Sequence, residues 1–283
     1  MKVVLFNDTS AYHKGCKKVV EYIHNDIKSC GYELVASIPS KDTARGYNSF
    51  LVDKLINNAD LVIINGEGTM HHDQESARHL LNIIKHSYNK GKQVMLINSL
   101  WQSMSITSSD IDCLKNIYIC VREERSQKAL LEHGIHADVS LDLSYFDPVP
   151  KETKEKQKLL VGGFFRKTQY RPEGVPVLSI FDSSWEDCVN ILRSTEWFIT
   201  GRHHEMYAAA KAECPFVAWS GNSWKNESLM ETAGVDIPIA PQHSRYSRVG
   251  YYTDRCKERA EEYTKLFEWM KKQPKFTVKD KLK

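Results

Sequence analysis

Two short polar stretches combine residue types that grip anions and move protons. The first is Asn65-Gly66-Glu67-Gly68-Thr69-Met70-His71. Its glycines tolerate positive φ and let a ligand approach the backbone, and amides at a following helix start can hold an anion. The same pattern suits a tight strand-to-helix turn. It lacks the third glycine and the ribose-binding acid of a dinucleotide fingerprint. The second stretch is Gly201-Arg202-His203-His204. Arginine offers a planar fork to a carboxylate or phosphate, and histidine a proton that moves near neutral pH. Adjacent histidines can also ligate a metal, but Asp, Glu or Cys partners at zincin or di-iron spacing are missing, so no metal is expected.

These stretches need strands to present them, and the sequence alternates accordingly. Val3 to Phe6 is a continuous apolar run of the kind that forms a parallel strand buried on both faces, and Asp60 to Asn65, with Leu61 to Ile64 at its centre, is the clearest buried strand. Further strands are expected at 34–38, 93–98, 117–121, 159–162, 177–181, 197–200 and 216–219. Helical spacing fills the gaps at 15–30, 50–57, 77–89, 185–194 and 206–213, and one long amphipathic helix is expected over 254–271. Strands alternating with helices imply βαβ units and right-handed crossovers. The fold class expected is α/β, with two Rossmann-like lobes whose parallel sheets face each other across a cleft. Residues 1–150 form the N-terminal lobe and 151–252 the C-terminal lobe. Residues 253–283 are expected as a terminal helix packing back toward the first lobe, followed by a basic tail. A Pro-Val-Pro and Lys/Glu-rich stretch over 147–158 marks the linker.

In open parallel sheets, ligands bind beyond the carboxyl ends of strands. Five polar loops fall there: Asn7-Asp8-Thr9, the 65–71 loop, Arg122-Glu123, Gly201-Arg202-His203-His204 and Gly221-Asn222-Ser223. Several members also admit plainer readings. Arg122 and Glu123 suit a salt bridge at a strand end, His13 either a helix surface or a site, and His24 a helix surface. Trp219 reads as core, while Trp224 can stack on a sugar or base.

At 283 residues, with 41% hydrophobic and 27% charged residues, the chain has ample core for two lobes. Its net charge of +3 excludes the global field of a nucleic-acid binder. The basic stretch Lys271–Lys283 could touch anionic lipid or simply be solvated. Seven cysteines at irregular spacing, with no Cys-x-x-Cys pair, argue against a disulfide framework or a structural zinc site. The opening apolar run is too short for a signal-peptide core or membrane span, so a cytoplasmic protein is expected, at the inner face of the membrane if the basic tail engages lipid.

Taken in order, Asn7-Asp8-Thr9, His13-x-Gly15-Cys16, the Asn-Gly-Glu-Gly-Thr-x-His loop at 65–71, Arg122-Glu123-x-x-Ser126, Gly201-Arg202-His203, Pro215 and Gly221-Asn222-Ser223-x-Lys225 resemble the polysaccharide pyruvyl transferase family. The resemblance spans about residues 1 to 235. Cys16 stands where members often carry Asn or Ser, and Asp142-Leu143-Ser144 only loosely matches an Asp-Pro-Ala-type motif.

The resemblance implies a GT-B-like transferase that needs no metal and no cofactor beyond its donor. It would move a pyruvyl group from phosphoenolpyruvate onto a glycan, or lipid-linked glycan, in the biosynthesis of cell-surface polysaccharide such as capsule or lipopolysaccharide. Arg202 with Lys225 would clamp the donor's anionic groups, with Gly66, Gly68, Thr69, His204, Asn222 and Ser223 beside them. His203 or His71 would serve as acid, and Glu67 or Asp8 as base. Asn7, Thr9, His13, Gly15, Arg122, Glu123 and Trp224 would contact the acceptor or support the others. Two other readings stand beside this one. The first is a GT-B glycosyltransferase using a nucleotide-activated sugar of the CMP-Kdo or CMP-sialic acid type, and the second a non-catalytic glycan- or nucleotide-binding module.

Overall fold

The computed structural model describes residues 1–44, 50–163, 174–241 and 249–282. Its contacts divide the chain into two compact units, the first made of residues 1–11, 19–143 and 274–283, the second of 12–18 and 144–273.

In the first unit, strands β1 (Lys2–Asp8), β2 (Glu33–Pro39), β3 (Leu61–Glu67), β4 (Gln93–Ser99), β5 (Tyr118–Val121) and β6 (Asp138–Val139) form one sheet in the order β2-β1-β3-β4-β5-β6. Every pairing is parallel. The apolar run Val3 to Phe6 is wholly buried and all seven residues of β3 are buried, as a sheet covered on both faces requires. Strand order reverses between β1 and β3, which makes the carboxyl ends of those two strands the topological switch point. Helix α1 (Lys14–Ser29) links β1 to β2, and its first turn is counted with the second unit. Helices α2 (Ser40–Ala44), α3 (Phe50–Asn58), α4 (Glu75–Asn89), α5 (Ser108–Leu114) and α6 (Glu124–Leu131) follow. The stripe Ala77, Leu80, Leu81, Ile83 and Ile84 of α4 is buried against this core.

The second unit repeats the plan with β7 (Gln157–Val161), β8 (Thr195–Thr200), β9 (Phe216–Trp219) and β10 (Ile239–Ala240), ordered β10-β9-β8-β7 and again parallel. Its helices are α7 (Trp185–Arg193), α8 (His203–Ala212), α9 (Lys225–Ala233), α10 (Val249–Lys257) and α11 (Ala260–Lys271). Buried Ala208, Ala209 and Ala210 let α8 pack closely against α7 and α11.

Three expectations about elements need correction. Residues 177–181 are not a strand: Val177 makes an isolated bridge to Val161, and the chain then turns, with Asp182 and Ser183 donating to the Ser179 carbonyl. The helix expected over 254–271 is two helices, because Arg259 leaves helical geometry (φ −108°, ψ 26°) and reaches Asp236 at 3.0 Å. The polar loop expected at Arg122-Glu123 is short, because Glu123 already caps α6.

Helix α11 packs on α8 and α9 of the second unit, while the residues after it belong to the first. Phe276 and Val278 are buried there, the Tyr22 hydroxyl donates to the Phe276 carbonyl, and the Val278 amide donates to Asp26 Oδ2 at 2.7 Å. Three lysines of the basic stretch are engaged: Lys271 pairs with Glu268 and Glu213, Lys281 with Asp138, and Lys275 lies over the Tyr22 ring. Lys283 lies outside the described residues. No helix among the described residues is long and apolar enough to cross a membrane.

Burial pushes the Asp26 carboxyl above its ordinary value, against the opposing pull of the Val278 amide and Lys275. As pH rises past the unfolded value of 3.8, the unfolded chain ionises first, so stability falls until the folded group follows. Asp26→Asn keeps an acceptor for Val278 without ionising. The variant is expected to melt above the parent near pH 7 and to coincide with it near pH 3; an equal gap at both values would show that the buried carboxylate costs nothing.

Candidate functional site

At the switch point of the first unit, three asparagines close successive strands. Asn7 Nδ2 donates to the Asn65 carbonyl at 2.6 Å and to Thr69 Oγ1 at 3.4 Å. Asn65 Nδ2 reaches the Asn7 carbonyl and Thr9 Oγ1, both at 3.3 Å, and Asn98 Nδ2 reaches Asn65 Oδ1 at 3.4 Å. The Thr9 hydroxyl donates to Glu67 Oε2. Asn7, Glu67 and Asn98 hold φ of 61°, 39° and 52°, so the left-handed residues here are not the glycines. Gly66 is needed for a different reason, since a Cβ would lie 2.3 Å from Ser99 Oγ. The loop also does not open a helix directly, because α4 begins only at Glu75. The sequence-predicted group Asn7, Thr9, Asn65, Glu67 and Thr69 is thus brought together as a buried polar knot. His71 is also buried, with its Nδ1 2.8 Å from His72 Nδ1 and Gln74 beside the ring.

Other first-unit candidates turn elsewhere. Asp8 Oδ2 accepts from Ser37 Oγ at 2.6 Å and Oδ1 from the Ser10 amide at 2.9 Å. Burial works to raise its pKa, but these hydrogen bonds outweigh it and hold the carboxyl below its usual range. His24 is not a plain helix-surface residue: its Nε2 lies 3.1 Å from Ser37 Oγ, and burial lowers its pKa against the pull of Asp8 and Glu21. Arg122 and Asp142, 2% and 0% exposed, form a buried ion pair at 2.8 Å. Glu123 accepts from the Ser126 amide at 3.0 Å as the cap of α6. Arg122 thus makes a buried salt bridge at the strand end, with Asp142, while the bonds described for Glu123 are those of a helix cap.

The second unit presents an open site at the ends of β8 and β9. Glu205, one turn into α8, points back so that its Oε2 accepts from the Gly163 amide at 2.8 Å and from the Thr200 hydroxyl at 2.5 Å. Thr200 Oγ1 in turn accepts from the Arg202 amide at 3.0 Å. The Arg202 guanidinium lies 4.0 Å from Glu205 Oε1 and 4.5 Å above the Phe181 ring. A Cβ at Gly163 would sit 1.9 Å from Arg202 Nε, and one at Gly162 would sit 2.2 Å from Glu205 Oε2, so this pair of glycines is a steric requirement of the arrangement.

Residues 12–18 lie against this end of the second unit, with the Lys14 amide donating to the Ile180 carbonyl at 3.1 Å. The His13 ring meets Phe181 and His204 edge-on, centroids 5.7 and 4.9 Å apart. Gly15 is required too, since a Cβ there would fall 2.6 Å from His204 Cβ. The result is a cavity of about 320 Å³ lined by His13, Gly201, Arg202, His203, His204, Gly221 and Lys225. Among the described residues none of the lining is acidic, and Arg202 and Lys225 are its two cationic side chains. Lys225 Nζ donates to Asn222 Oδ1 at 3.1 Å, which fixes that cation near the Gly221 loop. Trp224 starts α9 half-buried, while Ser223 and Trp219 are buried, Trp219 packing near Tyr252 as a core residue. Asn226 Nδ2 donates to the Trp219 carbonyl at 2.8 Å, so its Oδ1, 3.2 Å from His203 Nδ1, must accept. The neutral His203 ring therefore carries its proton on Nδ1. His13, Cys16 and His204 also bring potential ligand atoms within 4.8 Å of one another, a grouping that sequence spacing does not show.

No protein-family model and no curated protein matches this chain. Solved structures do. A putative UDP-N-acetylglucosamine 2-epimerase from Listeria monocytogenes superposes with a TM-score of 0.59 at 10% identity, over 94% of this chain and 90% of that one. The Arabidopsis thaliana protein UGT89C1, solved with UDP-L-rhamnose, gives 0.56 at 9% identity over 95% and 93%. A protein of uncharacterised function from Klebsiella pneumoniae gives 0.55 at 14% identity over 81% and 87%. At these identities the likeness is one of fold, and the fold is α/β and GT-B-like, with parallel sheets of six and four strands.

Sequence reasoning missed Glu205, Asn226 and Phe181. Glu205 had a signal, the spacing Arg202-x-x-Glu205 on a helix start together with Gly162-Gly163 after a buried strand. Asn226 sits in an Asn-x-Ser sequence that suggests only a glycosylation sequon, and Phe181 falls in a stretch misread as strand. Glu205→Ala would strand the buried Gly163 amide and leave the Thr200 hydroxyl only its 3.2 Å contact to the Gly163 carbonyl, and should destabilise the chain by about 2 kcal/mol in chemical denaturation. Glu205→Gln, which keeps one acceptor oxygen, is expected to cost at least about 1 kcal/mol less; equal losses would mean that the carboxylate acts only by filling space.

Proposed function

We propose that this chain is a glycan-modifying transferase whose second unit grips the anionic part of an activated donor. The observation that carries the reading is the basic cavity, where Arg202 and Lys225 flank an opening with three histidines and, among the described residues, no acid in its lining. Paired cations in a partly enclosed site bind phosphate or carboxylate far better than on an open surface, because the local dielectric is lower. The GT-B-like fold supports an activated-donor enzyme, as in the neighbour solved with UDP-L-rhamnose.

Phosphoenolpyruvate is the donor we favour. The cavity lies at the small end of the range for ligand sites, which suits a compact anion bearing both a carboxylate and a phosphate. Transfer would form a ketal: the methylene carbon gains a proton, two glycan hydroxyl oxygens bond to the central carbon, and phosphate leaves. One hydroxyl proton is matched by the new methyl hydrogen and the other by the departing phosphate. His203 is placed to move such a proton, with its tautomer set by Asn226. A nucleotide-activated sugar is the second reading, and the fold likeness to proteins solved with UDP-type ligands favours it. There the same two cations would hold the nucleotide's phosphate, a single group in a CMP-sugar and a diphosphate in a UDP-sugar.

The test is calorimetric titration of the full chain with phosphoenolpyruvate, CMP, UDP and GDP. Arg202→Ala and Lys225→Ala are each expected to weaken binding of the preferred donor about 10–100-fold, the loss of one charge-assisted hydrogen bond. Binding of a nucleotide but not of phosphoenolpyruvate would decide for the second donor. Binding unaffected by either substitution would remove the cavity from consideration.

A further inference from the structure

His13, Cys16 and His204 lie side by side in the second unit, although 188 positions of sequence separate the last two. His13 precedes α1, Cys16 sits in its first turn, and His204 sits in the first turn of α8. Cys16 Sγ is 3.3 Å from His13 Nε2, the two rings of His13 and His204 are 4.9 Å apart, and every ligand atom is within 4.8 Å of the others. A tetrahedral zinc ion, bonded at about 2.3 Å to sulfur and about 2.0–2.1 Å to nitrogen, needs ligand atoms about 3.3–3.6 Å apart. The Cys16–His13 edge, at 3.3 Å, is close to the sulfur–nitrogen length of about 3.6 Å, and the other two, within 4.8 Å, need at most about 1.5 Å of side-chain movement.

We infer that these three residues form a zinc site with an open position. A thiolate and two imidazoles are a soft-to-borderline donor set that suits zinc and disfavours magnesium or calcium. Two of the ligands, His13 and His204, line the basic cavity, so the remaining coordination position faces the same space that Arg202 and Lys225 border. Three protein ligands with a free fourth position is the pattern of a catalytic zinc rather than a structural one. Binding releases the Cys16 thiol proton to solvent. Ligation through His13 Nε2 puts the ring proton on Nδ1, so the 3.3 Å contact that Nδ1 now accepts from the Cys16 amide must open by a rotation of the ring. Gly15 supports the assignment: the absence of a side chain there lets the first turn of α1 close onto His204. The two nearby cations oppose a further positive charge. The thiolate offsets half of the ion's charge, and Glu205 at 4.0 Å offsets Arg202.

The zinc assignment rests on local geometry and not on the choice of donor. The metal-free full chain is titrated with Zn²⁺ and, separately, with Co²⁺ as a spectroscopic probe. One equivalent is expected to bind, with a thiolate-to-cobalt charge-transfer band. Cys16→Ser should abolish the band, and Cys16→Ser and His204→Ala should each weaken zinc binding at least about tenfold. Cys214→Ser, at a buried thiol near Thr195, should change neither. Melting curves identify any variant that fails to fold; His13→Ala then takes its place. No stoichiometric uptake by the parent, or uptake unchanged in the correctly folded ligand variants, overturns the site. Donor binding without metal uptake would sink this proposal while leaving the transferase reading intact.

Discussion

The Glu205 carboxylate, 2% exposed, joins the Gly163 amide beyond β7 and the Thr200 hydroxyl that ends β8 to the helix α8 on which it sits. Burying a charge this deeply is expensive unless several donors meet it. Here the donors come from two strands and the arginine from the loop between β8 and α8. The geometry of the ligand end of the second unit follows from satisfying that one group. The Thr200 hydroxyl takes up both Glu205 and the Arg202 amide, and so sets the direction in which the chain leaves the strand. Arg202 then lies between the Glu205 carboxylate and the Phe181 face, a position that restrains its guanidinium before any ligand arrives. Preorganised charge of this kind costs no ordering when an anion binds.

The corresponding end of the first unit is built on the opposite principle. Asn7, Asn65 and Asn98 satisfy one another across three strand ends, and Thr9 and Glu67 complete the knot. Three residues there hold left-handed φ without being glycine, a strain that persists only where surrounding bonds over-determine it. Such a fully bonded network rigidifies the switch point. Its side chains are occupied by one another, whereas in the second unit cations and imidazoles border open space.

The strands and the rim they share were legible because apolar runs such as Val3 to Phe6 and Leu61 to Ile64 announce a buried parallel sheet, and polar residues follow each run. The second-unit residues Arg202, His203, His204 and Lys225 were legible for the same reason, and the structure gathers them around one cavity. The roles of the glycines were not legible in detail. Gly66 reads as a φ > 0 position and is instead a gap for Ser99, a fact that depends on β4 lying alongside. Residues 177–181 are apolar enough for a strand, yet the turn at Ser179 wins, and nothing local distinguishes the two. The grouping of His13 and Cys16 with His204 is invisible to spacing rules, since those rules describe ligands on one element, and these come from two helix starts remote in sequence.

Charge ties the last of these observations to the first. Arg202 and Lys225 against Glu205 leave one net positive charge, and the carboxylate beside Arg202 is buried and does not line this cavity, although with Asp182 it lines an adjoining one of about 350 Å³ that Arg202 also borders. A dianion entering this cavity would meet the guanidinium, which lies beside Glu205, and the ammonium, which is held by Asn222. Zinc with the Cys16 thiolate would add one further net positive charge on the His13 and His204 side of the same space. The attraction for an anion would then come from two sides, one a fixed organic fork and the other an ion with an exchangeable position. A donor with two anionic groups separated by a reacting carbon is the ligand shape that such a divided field would orient, and a single small anion would not need it.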